Sequence, residues 1–183
     1  NISLDSLQAE RFKAITRIGD LNTVLRGIDR AMECGFDRIR LNAVILDGLN
    51  RDEVVPLTHY ALEKGIHIAF IEEMPLGQVN VGGKPLAYVS SDTLQEELAE
   101  HFTLVPMTAS DTAGPARDFL IAGSQTQVGF ISPHSHNFCA QCNRLRISAE
   151  GRLLMCLGNE ESFDLRGLLR AGRTDEELSL IHI

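Results

Sequence analysis

Three of the four cysteines in this chain, Cys139, Cys142 and Cys156, form a C-x2-C-x13-C array. Arg144 and Arg146 follow the CxxC at once, with Leu145 between them. A short CxxC loop turns two sulfurs to one side, so both thiolates can reach one metal or cluster. The third sulfur comes from a second segment. Glu150-Gly151 reads as a hairpin turn, which brings Cys156 back beside Cys142. Three thiolates leave the fourth position of a tetrahedral centre to be filled. Guanidinium charge beside such a centre points to an anionic ligand, because its planar donor fork matches phosphate oxygens and never deprotonates.

The residue types allow three readings. A Cys3His zinc site would draw its histidine from His134 or His136. Such sites usually pair two knuckles, and only one CxxC is present. A four-iron cluster held by three cysteines would leave one iron open to a substrate nitrogen or oxygen. Three reduced, buried cysteines are the third reading. The polar run Ser132-Pro133-His134-Ser135-His136-Asn137, which leads into the CxxC, is unlike a core strand. Cys34, at a helix end, reads as a structural core cysteine. His59, His67 and His101 read as surface or internally satisfied groups. Glu72-Glu73 is either a paired-carboxylate acid/base site or one acid buried against a basic partner beside a solvated one. Arg117, in the turn Gly114-Pro115-Ala116-Arg117, is a further candidate for reaching a phosphate.

Alternating helix and strand patterns must position these groups. Leu21 to Cys34 carries apolar residues three and four apart, with Asn22 as N-cap and Gly35 as stop. Arg38 to Leu46 reads as a strand, Asp52 to Lys64 as a helix ended by Gly65, and Ile66 to Ile71 as a second strand. Strand–helix–strand at this spacing implies a parallel pair. Arg38, Arg40 and Asn42 fall on one face of the first strand, which is either an exposed strand mouth or the polar lining of an open barrel. Asn1 to Asp5 looks like the end of another strand. Two or three parallel strands cannot close a barrel of about eight. These patterns imply the C-terminal portion of a larger α/β protein; the fold expected is α/β, with residues 1–74 as the C-terminal part of an incomplete TIM-like barrel and residues 75–183 as a small α+β region around the cysteines. In that second part Met74 to Pro85 is irregular and Ser91 caps a helix to His101. Short strands are expected at Phe102–Val105, Asp118–Ile121, Val128–Ile131, Leu145–Ser148 and Leu153–Cys156, and helices at Asp164–Arg170 and Thr174–Leu178.

Composition excludes several function classes. With 183 residues, 44% hydrophobic and 23% charged, the chain reads as globular. A formal net charge of −8 argues against broad nucleic-acid binding, though a local arginine cluster can still hold an anion. No apolar run approaches the roughly 20 residues that span a bilayer. Four cysteines are too few for a disulfide scaffold. No signal peptide is seen, but the chain starts at Asn1 rather than Met.

The segment Gly129-Phe130-Ile131-Ser132-Pro133-His134-Ser135-His136-Asn137-Phe138-Cys139-Ala140-Gln141-Cys142-Asn143-Arg144-Leu145-Arg146, with Glu150-Gly151-Arg152-Leu153-Leu154-Met155-Cys156-Leu157-Gly158, resembles the C-terminal region of the GTP 3′,8-cyclase family. These are radical S-adenosylmethionine lyases of molybdenum-cofactor biosynthesis. Asn1–Asp5, Arg40-Leu41-Asn42 and Phe70-Ile71-Glu72-Glu73-Met74 resemble the family in the same order, so the likeness covers nearly the whole chain.

The resemblance implies that Cys139, Cys142 and Cys156 hold the family's second 4Fe–4S cluster, whose free iron engages the purine of GTP. It implies that Arg144, Leu145 and Arg146 bind GTP beside that cluster. Arg40 then stands at a GTP-binding position that is commonly lysine, and Ser3 and Met74 stand at positions that contact S-adenosylmethionine. Ala69 departs from the arginine frequent in the family. The family's first cluster, held by CxxxCxxC, generates the radical that converts GTP to (8S)-3′,8-cyclo-7,8-dihydroguanosine 5′-triphosphate. That motif is absent from the chain, as is a terminal Gly-Gly. The expectation is a substrate-binding portion, inactive alone, from a bacterial cytoplasmic enzyme. Its implied partners are GTP, S-adenosylmethionine, a second copy in a homodimer and, downstream, cyclic pyranopterin monophosphate synthase, with neither nucleic acid nor membrane. Another radical enzyme with an auxiliary cluster, such as a peptide-modifying type, is the runner-up, but those usually carry more auxiliary cysteines.

Overall fold

The computed structural model describes residues 1–74, 80–81, 84–85, 88–108, 114–136, 145–154 and 162–179. The chain divides into two compact units, Asn1–Ala140 and Gln141–Ile183. The division expected at residue 74 lies inside the first unit.

The first unit runs β1 (Ile2–Ser3), α1 (Ala9–Thr16), α2 (Leu21–Glu33), β2 (Arg40–Ile45), a 3-10 turn (Arg51–Glu53), α3 (Val54–Lys64) and β3 (His67–Glu72). It continues with β4 (Asn80–Val81), β5 (Lys84–Pro85), α4 (Ser91–Ala99), β6 (Leu104–Pro106), β7 (Ala116–Ile121) and β8 (Gln127–Ile131). Six strands form one sheet in the order β1-β2-β3-β8-β7-β6. β1, β2, β3 and β8 are mutually parallel, and β7 and β6 add antiparallel. The class is α/β. The Val128–Ile131 segment, expected in the cysteine-bearing part, instead pairs with β3 and makes a fourth parallel strand.

Helix ends follow their local chemistry. Asp20, rather than the expected Asn22, caps α2: its Oδ1 accepts from Thr23 N at 2.7 Å, three residues on. Ser90, rather than Ser91, caps α4 for the same reason of reach, its Oγ accepting from Thr93 N. The helix expected from Asp52 begins as a 3-10 turn and becomes α only at Val54. Glu53 turns inward there. Its carboxylate accepts from Ser6 Oγ and Leu7 N, each at 2.6 Å, and pairs with Arg11, fastening the loop after β1. Gly65 ends α3 in the left-handed region, as its position after Lys64 predicts.

The core lies on one side of the sheet. Leu41, Ala43 and Ile45 of β2, Ile68 and Phe70 of β3, and Val128 and Phe130 of β8 pack in one cluster with Phe12, Ile28, Leu57, Ala61 and Leu98 of the helices. Burying this face supplies the driving force for the layer. The alternate residues Arg40, Asn42 and Val44 point the other way and remain partly or fully exposed.

The second unit holds β9 (Arg146–Ile147), β10 (Arg152–Leu154), β11 (Ser162–Asp164), α5 (Leu165–Arg170) and α6 (Asp175–Ser179). Its three strands are antiparallel in the order β11-β10-β9. Ser148 N donates to Arg152 O, and Gly151 takes φ 77° in the turn, so the expected hairpin forms. Strand β11 escaped prediction. It is three residues long and carries no alternation strong enough to announce it. Among the described residues no helix is long and apolar enough to cross a membrane.

Candidate functional site

The half-exposed sheet face is organised around one registered row. Ser3 stands opposite Asn42, Asn42 opposite Ala69, Ala69 opposite Gly129, and Gly129 opposite Asp118. Partners in register point to the same face, so these five residues line a band across five strands. The two central members, Ala69 and Gly129, are the smallest and form a trough. Arg40 lies one step back along β2 and reaches across that trough. Its Nη2 lies 2.9 Å from Asp118 Oδ1, with Gln127 Oε1 at 3.4 Å. Arg38 Nη2 donates to the same Gln127 oxygen at 2.9 Å. A Cβ on Gly129 would come within 2.5 Å of Asp118 Oδ1 and 3.5 Å of Arg40 Nη1, so the pair lies directly on the glycine.

This face can present guanidinium donors to an anion. Burial, then Arg38 and Arg40, push His67 below its ordinary range. His67 is therefore neutral at neutral pH, and its Nδ1 accepts from Gln127 N at 3.1 Å. Asp5, just beyond β1, has its carboxyl pushed up by burial, against the Val44 N–H that donates to it at 2.8 Å. Of the residues expected to meet S-adenosylmethionine, Ser3 lies on this face at the edge strand. Met74 is half-buried, two residues past the end of β3.

Glu72 ends β3 and is 1% exposed. Its partner is not the basic group the sequence suggested. Ser91 N donates to Oε1 at 2.8 Å, His134 N and Ser135 N donate to Oε2 at 3.0 and 3.1 Å, and Ser135 Oγ donates to Oε1. Burial opposes ionisation, but these donors outweigh it, Ser135 Oγ foremost, and hold the carboxyl at about 2. An acid this committed cannot serve as a general acid at neutral pH. The paired-carboxylate reading of Glu72-Glu73 is therefore set aside.

Asp92, in the first turn of α4, accepts from His136 Nε2 at 2.8 Å and from Arg117 Nη2 at 3.0 Å. These two hold it below the ordinary carboxylate range, His136 more than Arg117. Arg117 lies within β7, opposite Phe130 on the helix-covered face. It therefore points away from Arg40 and toward α4, because strand alternation separates it from Asp118 by one residue. His136, one of the two zinc-ligand candidates, already has its Nε2 on Asp92. His134 packs edge-on to Tyr88 with ring centroids 5.4 Å apart.

Cys139, Cys142, Cys156 and Arg144 lie outside the described residues. Arg146 is exposed at the start of β9, opposite Leu154, and Leu145 is exposed just before it. Among the described residues no group of three or more His, Cys, Asp and Glu stands together to hold a metal. As a donor set, three thiolates suit an iron–sulfur cluster better than they suit a hard cation. Cys34 is exposed and not a core residue. It is the C-cap of α2, beyond the last core-packed residues Ala31 and Met32. Sequence reasoning missed Asp118 and Gly129. Asp118 read only as a strand start, and the signal that could have found it is its period-two relation to Ala116 and Leu120 on the polar face.

Residues 66–182 match the family model described as Molybdenum Cofactor Synthesis C. The chain is 56% identical over 178 residues to the "GTP 3',8-cyclase" of Pseudomonas putida (strain W619), which covers 97% of the chain and 53% of that protein. It is 52% identical over 171 residues to the protein of the same name from Saccharophagus degradans, with 93% of the chain and 51% of that protein covered. It is 51% identical over 179 residues to that of Marinobacter nauticus, with 97% and 54% covered. The chain spans about half the length of the curated relatives it matches.

Proposed function

Because this chain belongs to the Molybdenum Cofactor Synthesis C family, we propose that it is the substrate-binding portion of a GTP 3′,8-cyclase. In this reading Cys139, Cys142 and Cys156 would hold a 4Fe–4S cluster. When bound, the cluster supplies an open iron that engages a nitrogen or oxygen of the guanine. Arg144 and Arg146, with Leu145 between them, bind GTP, and Arg40 presents its guanidinium to an anionic oxygen. Ser3 and Met74 contact S-adenosylmethionine. The sheet is then one wall of an incomplete TIM-like barrel, with helices outside and the polar face within.

The observation that carries the reading is the half-exposed band on which Ser3 and Arg40 share a face. A mostly parallel sheet with one apolar side under helices and polar residues on the other fits a ligand-lining wall. Strand alternation on β2 puts Arg40 there, and Ala69 and Gly129 leave room for its side chain to lie flat. Arg40 must exchange part of its pairing with Asp118 for the incoming anion. Radical generation needs a cysteine array that the 183 residues do not contain. The reading therefore assigns it to the length of the relatives that the chain does not span, and this chain alone does not start the reaction.

Anaerobic reconstitution with iron and sulfide tests the proposal. Uptake of about four irons per chain, lost in Cys139→Ser, is expected. GTP binding should also be lost in the Arg144→Ala, Arg146→Ala double variant. A chain that takes up only zinc under the same conditions refutes the reading and leaves a structural metal module in its place.

A further inference from the structure

On the polar sheet face Arg40 is engaged at one corner of its guanidinium. Nη2 lies 2.9 Å from Asp118 Oδ1 and 3.4 Å from Gln127 Oε1. The same Gln127 oxygen accepts from Arg38 Nη2 at 2.9 Å, so one neutral group ties two like charges together. Asp118 supplies the negative charge beside them, and it is poorly aimed. Its Oδ1 is buried, yet among the described residues it receives no well-directed hydrogen bond despite the short approach. Proximity of charge holds this pair, without the two parallel bonds of a guanidinium–carboxylate fork. The backbone of Gly129 lies against both partners. A Cβ there would stand 2.5 Å from Asp118 Oδ1 and 3.5 Å from Arg40 Nη1.

An anion that meets Arg40 meets Asp118 as well. It must displace the carboxylate or lie beside a like charge, and either course lowers its affinity. A ligand carboxylate would only repeat the contact that Asp118 already makes. A phosphoryl group brings more charge and three strong acceptor oxygens, so it gains by the exchange. We propose that Asp118 is an internal counter-anion that competes with a ligand's phosphoryl group for Arg40 and so sets how tightly this face holds it. The inference rests on the reading that Arg40 meets an anionic oxygen of the ligand. Asp118 acts through Arg40. Losing it has two opposed effects, a looser arginine and a stronger positive field. Gln127 still holds both arginines, and an asparagine at 118 keeps an acceptor oxygen of the same reach, so Asp118→Asn changes the tether little. The charge is lost entirely. The field therefore decides the sign, and anion binding tightens.

The test titrates the intact chain with inorganic tripolyphosphate by calorimetry at constant ionic strength. Asp118→Asn should tighten binding by about tenfold, and Arg40→Ala should weaken it by a similar factor. Structural damage loosens a site, so it does not account for a gain in affinity. Glu33→Gln removes the same unit of charge from an exposed pair with Arg30 on α2 and should leave binding unchanged. If Asp118→Asn does not fold, Asp118→Ser decides, because it also removes the charge. Tighter binding in the Asp118 variant with Glu33→Gln unchanged supports the counter-anion. Unchanged or weaker binding in the Asp118 variant overturns it, and so does an equal gain in Glu33→Gln, which would make the effect one of net charge. If wild type binds too weakly to measure, measurable binding by Asp118→Asn supports the proposal and none by either overturns it. Equal binding by wild type and Arg40→Ala instead removes the reading of Arg40 as an anion contact, and the role of Asp118 falls with it.

Discussion

Gly129→Ala is the sharpest probe of the polar sheet face. Gly129 lies mid-strand in β8, and its φ is outside the left-handed region, so alanine meets no backbone strain. The obstacle is contact. The new Cβ would stand 2.5 Å from Asp118 Oδ1 and 3.3 Å from Ala116 Cβ. The carboxylate oxygen must retreat by about 1 Å to reach ordinary van der Waals separation. That movement breaks its 2.9 Å approach to Arg40 Nη2. The two side chains are 15% and 22% exposed, so the pair lies between a surface bridge and a buried one. Surface pairs contribute about 0–1 kcal/mol, and breaking a buried one costs about 3–5 kcal/mol. An intermediate loss of roughly 2 kcal/mol is expected, offset by about 0.5–1 kcal/mol because glycine is a poor strand residue. The net destabilisation is then about 1–1.5 kcal/mol. Urea unfolding of a double-mutant cycle with Asp118→Ala measures it. With Asp118 gone only the milder 3.3 Å contact with Ala116 Cβ remains, so the cost of Gly129→Ala should fall to near zero. An equal cost in both backgrounds would show that the alanine collides with something other than the ion pair, and the trough argument would be wrong.

Two further outcomes are expected from the same geometry. Glu72 titrates near 2 in the fold against an ordinary 4.5. Because its folded value is depressed, its stabilisation is complete above about pH 4.5 and is lost as pH falls toward 2. The difference amounts to roughly 3 kcal/mol. Wild type and Glu72→Gln should therefore differ most in urea midpoint near neutral pH and converge in strong acid, whereas a constant gap would mean the charge is irrelevant. At Gly65, φ 64° and ψ 28° are left-handed values. Gly65→Ala should destabilise by about 1 kcal/mol in the same urea assay even though a Cβ there meets nothing within 4 Å.

Local signals along the chain were enough to locate the periodic elements. Apolar spacing located α2, α3, β2 and β3, Gly35 and Gly65 marked helix ends, and Glu150-Gly151 marked the hairpin, because each signal is local. The cysteine array and its arginines can be proposed as one site from sequence because they are neighbours in the chain. Alternation in β2 even assigned Arg40 and Asn42 to one face. Alternation cannot supply the partner across the sheet. Arg40 shares a polar contact with Gln127, 87 residues away, and Glu72 meets donors more than 60 residues away. Only the strand order β1-β2-β3-β8-β7-β6 brings β8 and β7 beside β3 and so makes Ala69 and Gly129 a trough beneath an ion pair. The same order surrounds Glu72 with donors from distant segments in place of a basic partner, and ties Arg117, a candidate for reaching a phosphate, to α4 instead. Cys34 was misread because an apolar helical stripe gives no warning of where the core stops. Each of these depends on which distant surfaces pack together, and packing energy is a property of the assembled layers rather than of any one segment.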